Sequence, residues 1–389
     1  MKRKADAACQ LVQDHFLRKT VRTTLAATAV SVVALLGACA THSGPDTSAT
    51  RFKVDAAWPQ ALPDQEILGQ VAGVATSTDD HVWVLQRPGS LTEDERGAAL
   101  NPPLSSCCKP APPVIEFDAA GKPLRAWGGP GQGYDWPQNE HSIYVDKQGY
   151  VWISGNGDKD GQILKFTRDG KFVLQIGKPG PQTGNRDTTR LGRPAGVEVD
   201  TDARELYVAD GYYNRRVIVF DSDTGAYKRM WGGYGKQPAD IGPASSVRRD
   251  PPTPEQLLQF SNPHCVRVAR DGMVYVCDRL NNRIQVFQKD GAYVKEFSVA
   301  PNTAGPGSVW DLVLSRDPAQ EYLYVADGRN NQLLTLSRDT GQVLATTGHS
   351  GRYAGDFHWV HDLAIDSQGN LYTGDVDTGK RVQKFTPTR

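Results

Sequence analysis

Six stretches of this chain repeat one scheme, and that repetition limits the fold more than any other feature. "AGVATSTDDHVWVLQR", "HSIYVDKQGYVWISG", "AGVEVDTDARELYVADG", "HCVRVARDGMVYVCDR", "WDLVLSRDPAQEYLYVADG" and "HDLAIDSQGNLYTGD" each read as an alternating strand, a turn rich in Asp and Gly, and a second alternating strand. A third strand follows in "PVIEFDAAG", "QILKFTRDG", "RRVIVFDSDTG", "NRIQVFQKDG", "NQLLTLSRDTG" and "RVQKFTPT", and a fourth in segments such as "PLRAWGG", "KFVLQIG" and "YKRMWGG". Units of roughly 40 to 50 residues with four short strands cannot bury both faces alone and must stack around an axis. The expected fold is an all-β, six-bladed β-propeller over residues 52–389. The last unit lacks a fourth strand, while "RFKVDAAWP" at the front is a strand without a unit. The N-terminal strand is therefore expected to close the last blade.

Composition agrees with many turns: there are 39 Gly and 25 Pro, and no long amphipathic periodicity. Lys plus Arg equals Asp plus Glu at 44 each, so no net charge draws the protein to nucleic acid or to acidic membranes. A closed ring completes its own core, and a monomer is expected.

The first residues differ from the rest. Lys2, Arg3, Lys4, Arg18, Lys19 and Arg22 precede the apolar run "LAATAVSVVALLGACA", too short for a comfortable bilayer span and similar to the apolar region of an export signal. Its end, "LGAC", resembles a bacterial lipobox, which implies lipidation at Cys39, a leader over 1–39 and a polar tether over 40–51. An exported protein, anchored by lipid to the cell envelope or secreted, is expected, with plain secretion or an uncleaved anchor as alternatives. Of the remaining cysteines, Cys265 and Cys277 flank the turn "ARDG" almost symmetrically. They either pair across a hairpin or stay as two buried thiols.

Aligning the repeats places Ala72, His141, Ala195, His264, Trp310 and His361 at one position, two residues before an apolar residue of each first strand. Histidine occupies blades two, four and six. First strands line the channel of a propeller, and alternate blades lie about 120° apart. Three imidazoles then converge at one depth, the ligand set of a catalytic zinc with one open position. The alternative is a set of channel histidines bonded to water or backbone.

The second strand returns toward the same mouth, and this register puts His264 opposite Asp278. Just past the second strands come Arg87 in blade one, Tyr212 in blade three and Arg279 in blade four. Two guanidiniums can clamp a carboxylate, and a phenol beside a divalent metal can serve as a base. Long insertions after the second strand of blade one and before the first strands of blades three and four fall at the same mouth, which suggests a walled substrate site or unstructured decoration.

The third strands of the "NRxxxVF" type resemble NHL repeats. The segments "GQVAGV" followed by Arg87, "EHSIYVDKQG", "PAGVEVD…YVADGYYN", "NPHCVRVARDG…DRLNNRIQVF" and "VHDLAIDSQGNLYTGD" resemble the peptidyl-α-hydroxyglycine α-amidating lyase family, a group of zinc-dependent NHL-type propellers. The resemblance implies His141, His264 and His361 as zinc ligands, Tyr212 as catalytic base, and Arg87 and Arg279 beside the substrate. It also implies a structural calcium held by the carbonyls of Val74 and Ile143 and by Asp362, a carboxylate that otherwise serves its own hairpin. The expected activity is cleavage of the C–N bond of a small-molecule or peptide α-hydroxyglycine carrying a carboxylate, giving an amide and glyoxylate. Two rivals stand beside it: a non-catalytic NHL propeller presenting its loops to a protein or envelope ligand, and a calcium-dependent lactonase-type propeller. The latter favours carboxylate and amide ligands over three histidines.

Overall fold

Each repeat folds into one antiparallel four-stranded sheet, and six such sheets form the ring. The computed structural model describes residues 50–239 and 252–388. The leader, Cys39 and most of the expected tether lie outside the described residues. The Asp-Gly turns do the local work. In blade two, Asp146 Oδ1 accepts the backbone N–H groups of Gln148 and Tyr150, and Gly149 takes the left-handed conformation (φ 84°) that closes the hairpin. Blade six repeats the device with Asp366, Gln368 and Asn370.

Alternation along the strands sends apolar side chains to both faces of each sheet, so the core is divided among the gaps between blades. Six apolar clusters fill these gaps, each built from two consecutive blades. One joins Val266, Val276 and Phe287 of blade four to Tyr207, Val217 and Trp231 of blade three. Another joins Tyr372 and Val382 of blade six to Val74, Val84 and Ile115 of blade one, which completes the circle. Because no blade has a core of its own, the ring is the unit that folds.

Blade six is completed from the other end of the chain, as the sequence predicts. The strand Arg51–Asp55 pairs antiparallel with Arg381–Thr388, with Arg51 facing Thr388 and Asp55 facing Lys384. Phe52 packs edge-on against Tyr324 of blade five at 5.0 Å, so the closing strand also seals a gap between blades.

Candidate functional site

The first strands carry a feature that places the histidines. In blade two, Glu140 pairs with Gly155 and Ser142 with Ser154, leaving His141 as an extra residue between them. The same bulge isolates Ala72 in blade one, His264 in blade four, Trp310 in blade five and His361 in blade six. A β-bulge unpairs one residue and re-aims its side chain. The bulge also corrects the expected register by one residue: Pro263, and not His264, is the partner of Asp278.

The three imidazoles converge. Their ring nitrogens lie within 4.8 Å of one another, and the ring centroids are 4.7, 4.9 and 5.1 Å apart, close to an equilateral triangle. Each is fixed from behind by the next blade. His141 Nδ1 lies 3.2 Å from Ala195 O, His264 Nδ1 2.5 Å from Trp310 O, and His361 Nδ1 2.8 Å from Ala72 O. The acceptors are the carbonyls at the aligned position of blades three, five and one, so histidine and carbonyl alternate around the ring. A carbonyl only accepts, which assigns the proton to Nδ1 and leaves the Nε2 lone pair for the channel.

Burial keeps these rings neutral. It is the largest cause of depression for all three; the other two histidines add to it at His141, Arg279 at His264, and Arg87 at His361. His361 is pushed down to about 3. Neutral imidazole is the form that ligates a metal.

The predicted polar residues meet at this triangle. Tyr212 Oη lies 3.0 Å from the Nε2 of both His141 and His264, and Arg279 donates to it at 3.0 Å. The Arg279 guanidinium also stands 4.9 Å over Trp310, an aromatic contact that the sequence reading leaves unassigned. Arg87 reaches the site from the end of the second strand of blade one, donating to Glu140 O at 2.7 Å and Gln70 Oε1 at 2.8 Å.

Buried aspartates at the ends of second strands hold the approach to the site. Asp278 accepts Ser261 N at 2.7 Å on one oxygen, and Arg283 Nε at 2.8 Å and Asn281 Nδ2 at 2.7 Å on the other. Asp210 does the same for Gly192 N and Arg216, while Asp375 takes His358 N and Arg381 Nε on the one oxygen Oδ2. Each carboxylate ties the loop entering a first strand to the start of the third strand, fixing where the bulge falls.

Of the residues implied for calcium, Asp362 and Ile143 both close on Gly73, the neighbour of Val74, where a side chain would meet Ile143 N at 2.9 Å and Asp362 Oδ2 at 3.3 Å. Asp362 borders a gap of about 10 Å³ shared with the three histidines, whereas Val74 and Ile143 border a separate cavity of about 150 Å³ further along the channel. Cys265 and Cys277 face each other as direct strand partners and form a disulfide, settling the alternatives for that pair. Cys107 and Cys108 form a second one, which the adjacency of the two residues was the only signal to suggest.

Together these features define a six-bladed propeller with a three-histidine cluster in its channel. Residues 260–287 match the NHL repeat family. The chain is 26% identical to mouse NHL repeat-containing protein 3, over 86% of this chain and 84% of that protein. It is 23% identical to a probable peptidyl-alpha-hydroxyglycine alpha-amidating lyase of Caenorhabditis elegans, over 82% of this chain and 83% of the relative. It is 27% identical to peptidyl-glycine alpha-amidating monooxygenase B of Xenopus laevis over 64% of this chain, but spans only about a quarter (26%) of that protein's length.

Proposed function

We propose that the protein is a zinc-dependent carbon–nitrogen lyase acting on an α-hydroxyglycine-type substrate, a small molecule or peptide with a free carboxylate, and releasing an amide and glyoxylate. The observation that carries this reading is the triangle of neutral imidazoles with Tyr212 and Arg279 on it. The donor set suits zinc: three nitrogen ligands, each with its far nitrogen bonded to a carbonyl. When bound, the ion supplies Lewis-acid stabilisation of charge developing on the substrate hydroxyl oxygen. His141, His264 and His361 would hold it.

The remaining work falls to side chains. Arg87 and Arg279 bind and orient the substrate carboxylate. Tyr212 takes the hydroxyl proton as the carbinol C–O becomes a carbonyl and the C–N bond breaks. The electron pair leaves with nitrogen, which gains a proton to give the amide. Trp310, packed against His264 and His361, walls one side against water.

The similarity to amidating lyases and monooxygenases supports the reaction class. The two disulfides support an oxidising compartment, consistent with export and a lipid anchor at Cys39. No nucleic-acid partner is proposed, and the closed ring favours a monomer. A second reading, a non-catalytic NHL propeller, draws on the similarity to NHL repeat-containing protein 3. Metal analysis by plasma mass spectrometry on wild type and His264→Ala separates the two. One zinc per chain, lost in the variant, together with glyoxylate release from a hydroxyglycine compound, supports the lyase. A metal-free protein that cannot be reconstituted sinks it.

A further inference from the structure

Just beyond the histidines, one largely buried arginine gathers carboxylates from several inner strands. Arg267 lies three residues after His264, inside the first strand of blade four, Pro263–Val268. Its Nη2 donates to both carboxylate oxygens of Asp311 at 2.8 Å, its Nε to Leu312 O at 2.9 Å, and its Nη1 to Val266 O at 3.1 Å. Two more carboxylates face it, Asp362 at 3.8 Å and Glu198 at 3.8 Å. The partners are not idle elsewhere. Leu363 N donates to Asp311 and to Asp362, and Val268 N donates to Glu198. Glu198, Arg267, Asp311 and Asp362 belong to the first strands of blades three, four, five and six. One guanidinium therefore joins four of the six strands that line the channel.

Arg267 borders both the gap of about 10 Å³ under the histidines and the cavity of about 150 Å³ beyond it. Asp362 itself closes on the first strands of blades one and two, where a side chain on Gly73 would meet Asp362 Oδ2 at 3.3 Å and Ile143 N at 2.9 Å. Among the three residues implied as calcium ligands, the one carboxylate already faces a fixed cation at 3.8 Å. Calcium requires six to eight oxygens around one point. Val74, Ile143 and Asp362 supply one carboxylate between them, and a divalent ion there would stand against the Arg267 guanidinium that already faces that carboxylate, so the set does not fit calcium.

We propose that Arg267 is the resident cation of the channel, doing with a covalently attached guanidinium what a bound divalent ion would do: compensating the buried carboxylates and holding the inner strands of blades three to six in register. The planar fork suits this role, because it engages Asp311 with two bonds while its other nitrogens reach two backbone carbonyls. The ring then closes without calcium. This inference concerns the assembly of the channel and does not depend on the proposed reaction.

The test uses the full chain, desalted into calcium-free buffer with zinc present, and reads bound calcium by plasma mass spectrometry and the thermal midpoint with and without millimolar calcium. Wild type is expected to carry no calcium and to melt at the same temperature in both buffers. Arg267→Met is expected to melt roughly 5–10 °C lower, since it leaves buried carboxylates without their counter-ion. Stoichiometric calcium in wild type, with a lower midpoint on its removal, overturns the proposal. So does an Arg267→Met protein that melts with wild type. If Arg267→Met does not fold, Arg267→Lys keeps the charge but loses the fork, and its midpoint is expected between wild type and collapse. The wild-type calcium content decides the matter independently of either variant.

Discussion

Tyr212 Oη lies 3.0 Å from His264 Nε2, and Arg279 donates to that same oxygen at 3.0 Å. A phenol so placed touches the three-histidine cluster and the Arg279 guanidinium at once. Tyr212→Phe keeps the ring and its packing but removes the proton acceptor. Zinc content is expected to stay at one per chain while kcat for glyoxylate release falls roughly 10²–10⁴-fold. Retained turnover in a zinc-loaded variant refutes the role assigned to the phenol.

The loop leading into His264 depends on Asp278, which is fully buried and holds Ser261, Asn281 and Arg283. Asp278→Ala leaves the buried Arg283 guanidinium short of its main counter-ion and frees the loop. A loss of about 3 kcal/mol is expected in chemical denaturation. Zinc affinity should fall as well, because the bulge that aims His264 begins at the Pro263–Asp278 pair. Unchanged affinity in the folded variant excludes that coupling.

Acid should weaken the outer part of blade three. Arg229 holds both oxygens of Glu205, and this pairing is the largest cause lowering the carboxyl from its ordinary 4.5 to about 2. The folded state binds that proton less readily than the unfolded chain, so the contribution to stability is full above about 4.5 and is lost as pH falls toward 2. Glu205→Gln is expected to melt lower than wild type at neutral pH, with the difference shrinking between pH 4.5 and 2. Melting curves across that range check the sign; a difference that grows in acid contradicts it.

The Cys265–Cys277 bond clamps the hairpin directly beside a site histidine. Replacing both by Ala removes a cross-link of sequence separation 12, expected to cost roughly 2–3 kcal/mol by loop-closure entropy. Denaturation of the double variant isolates this bond from the Cys107–Cys108 pair, which a reductant would also break. Equal stability of variant and wild type would show the clamp to be energetically idle.

The ring, its closing strand and the alternating histidines can be read from the chain because period-two strands and repeated turns carry them. Side-chain periodicity also places Arg87, Tyr212 and Arg279 near one mouth, and the structure brings Tyr212 and Arg279 into contact. What periodicity cannot carry is the bulge. An extra residue shifts the alternation by one, but these strands are buried on both faces, so the shift leaves no mark in the run of apolar residues and appears only when both strands are paired. Arg267 could have been found: three positions after the histidine register stand Ala75, Tyr144, Glu198, Arg267, Val313 and Ala364, a row in which one cation faces one anion. Its bonds to Asp311, two positions earlier in the repeat of a neighbouring blade, depend on the stagger between blades, which no single repeat encodes.

The strand that seals the ring sets an order of events. Arg51–Asp55 lies near the start of the described residues, yet its partner Arg381–Thr388 lies at their far end, so among the described strands the first to be synthesised must wait for the last before it can pair. The entropy of bringing such distant segments together rises only slowly with length, by about 0.6 kcal/mol per doubling, but pairings so remote in sequence form slowly. The burden therefore falls on the folding rate more than on the final free energy. Until closure, Arg381–Thr388 presents an unpaired edge that another chain's strand can occupy. The period of greatest vulnerability to misassociation is thus the interval between completing the sixth blade's inner strands and recovering a segment made at the outset.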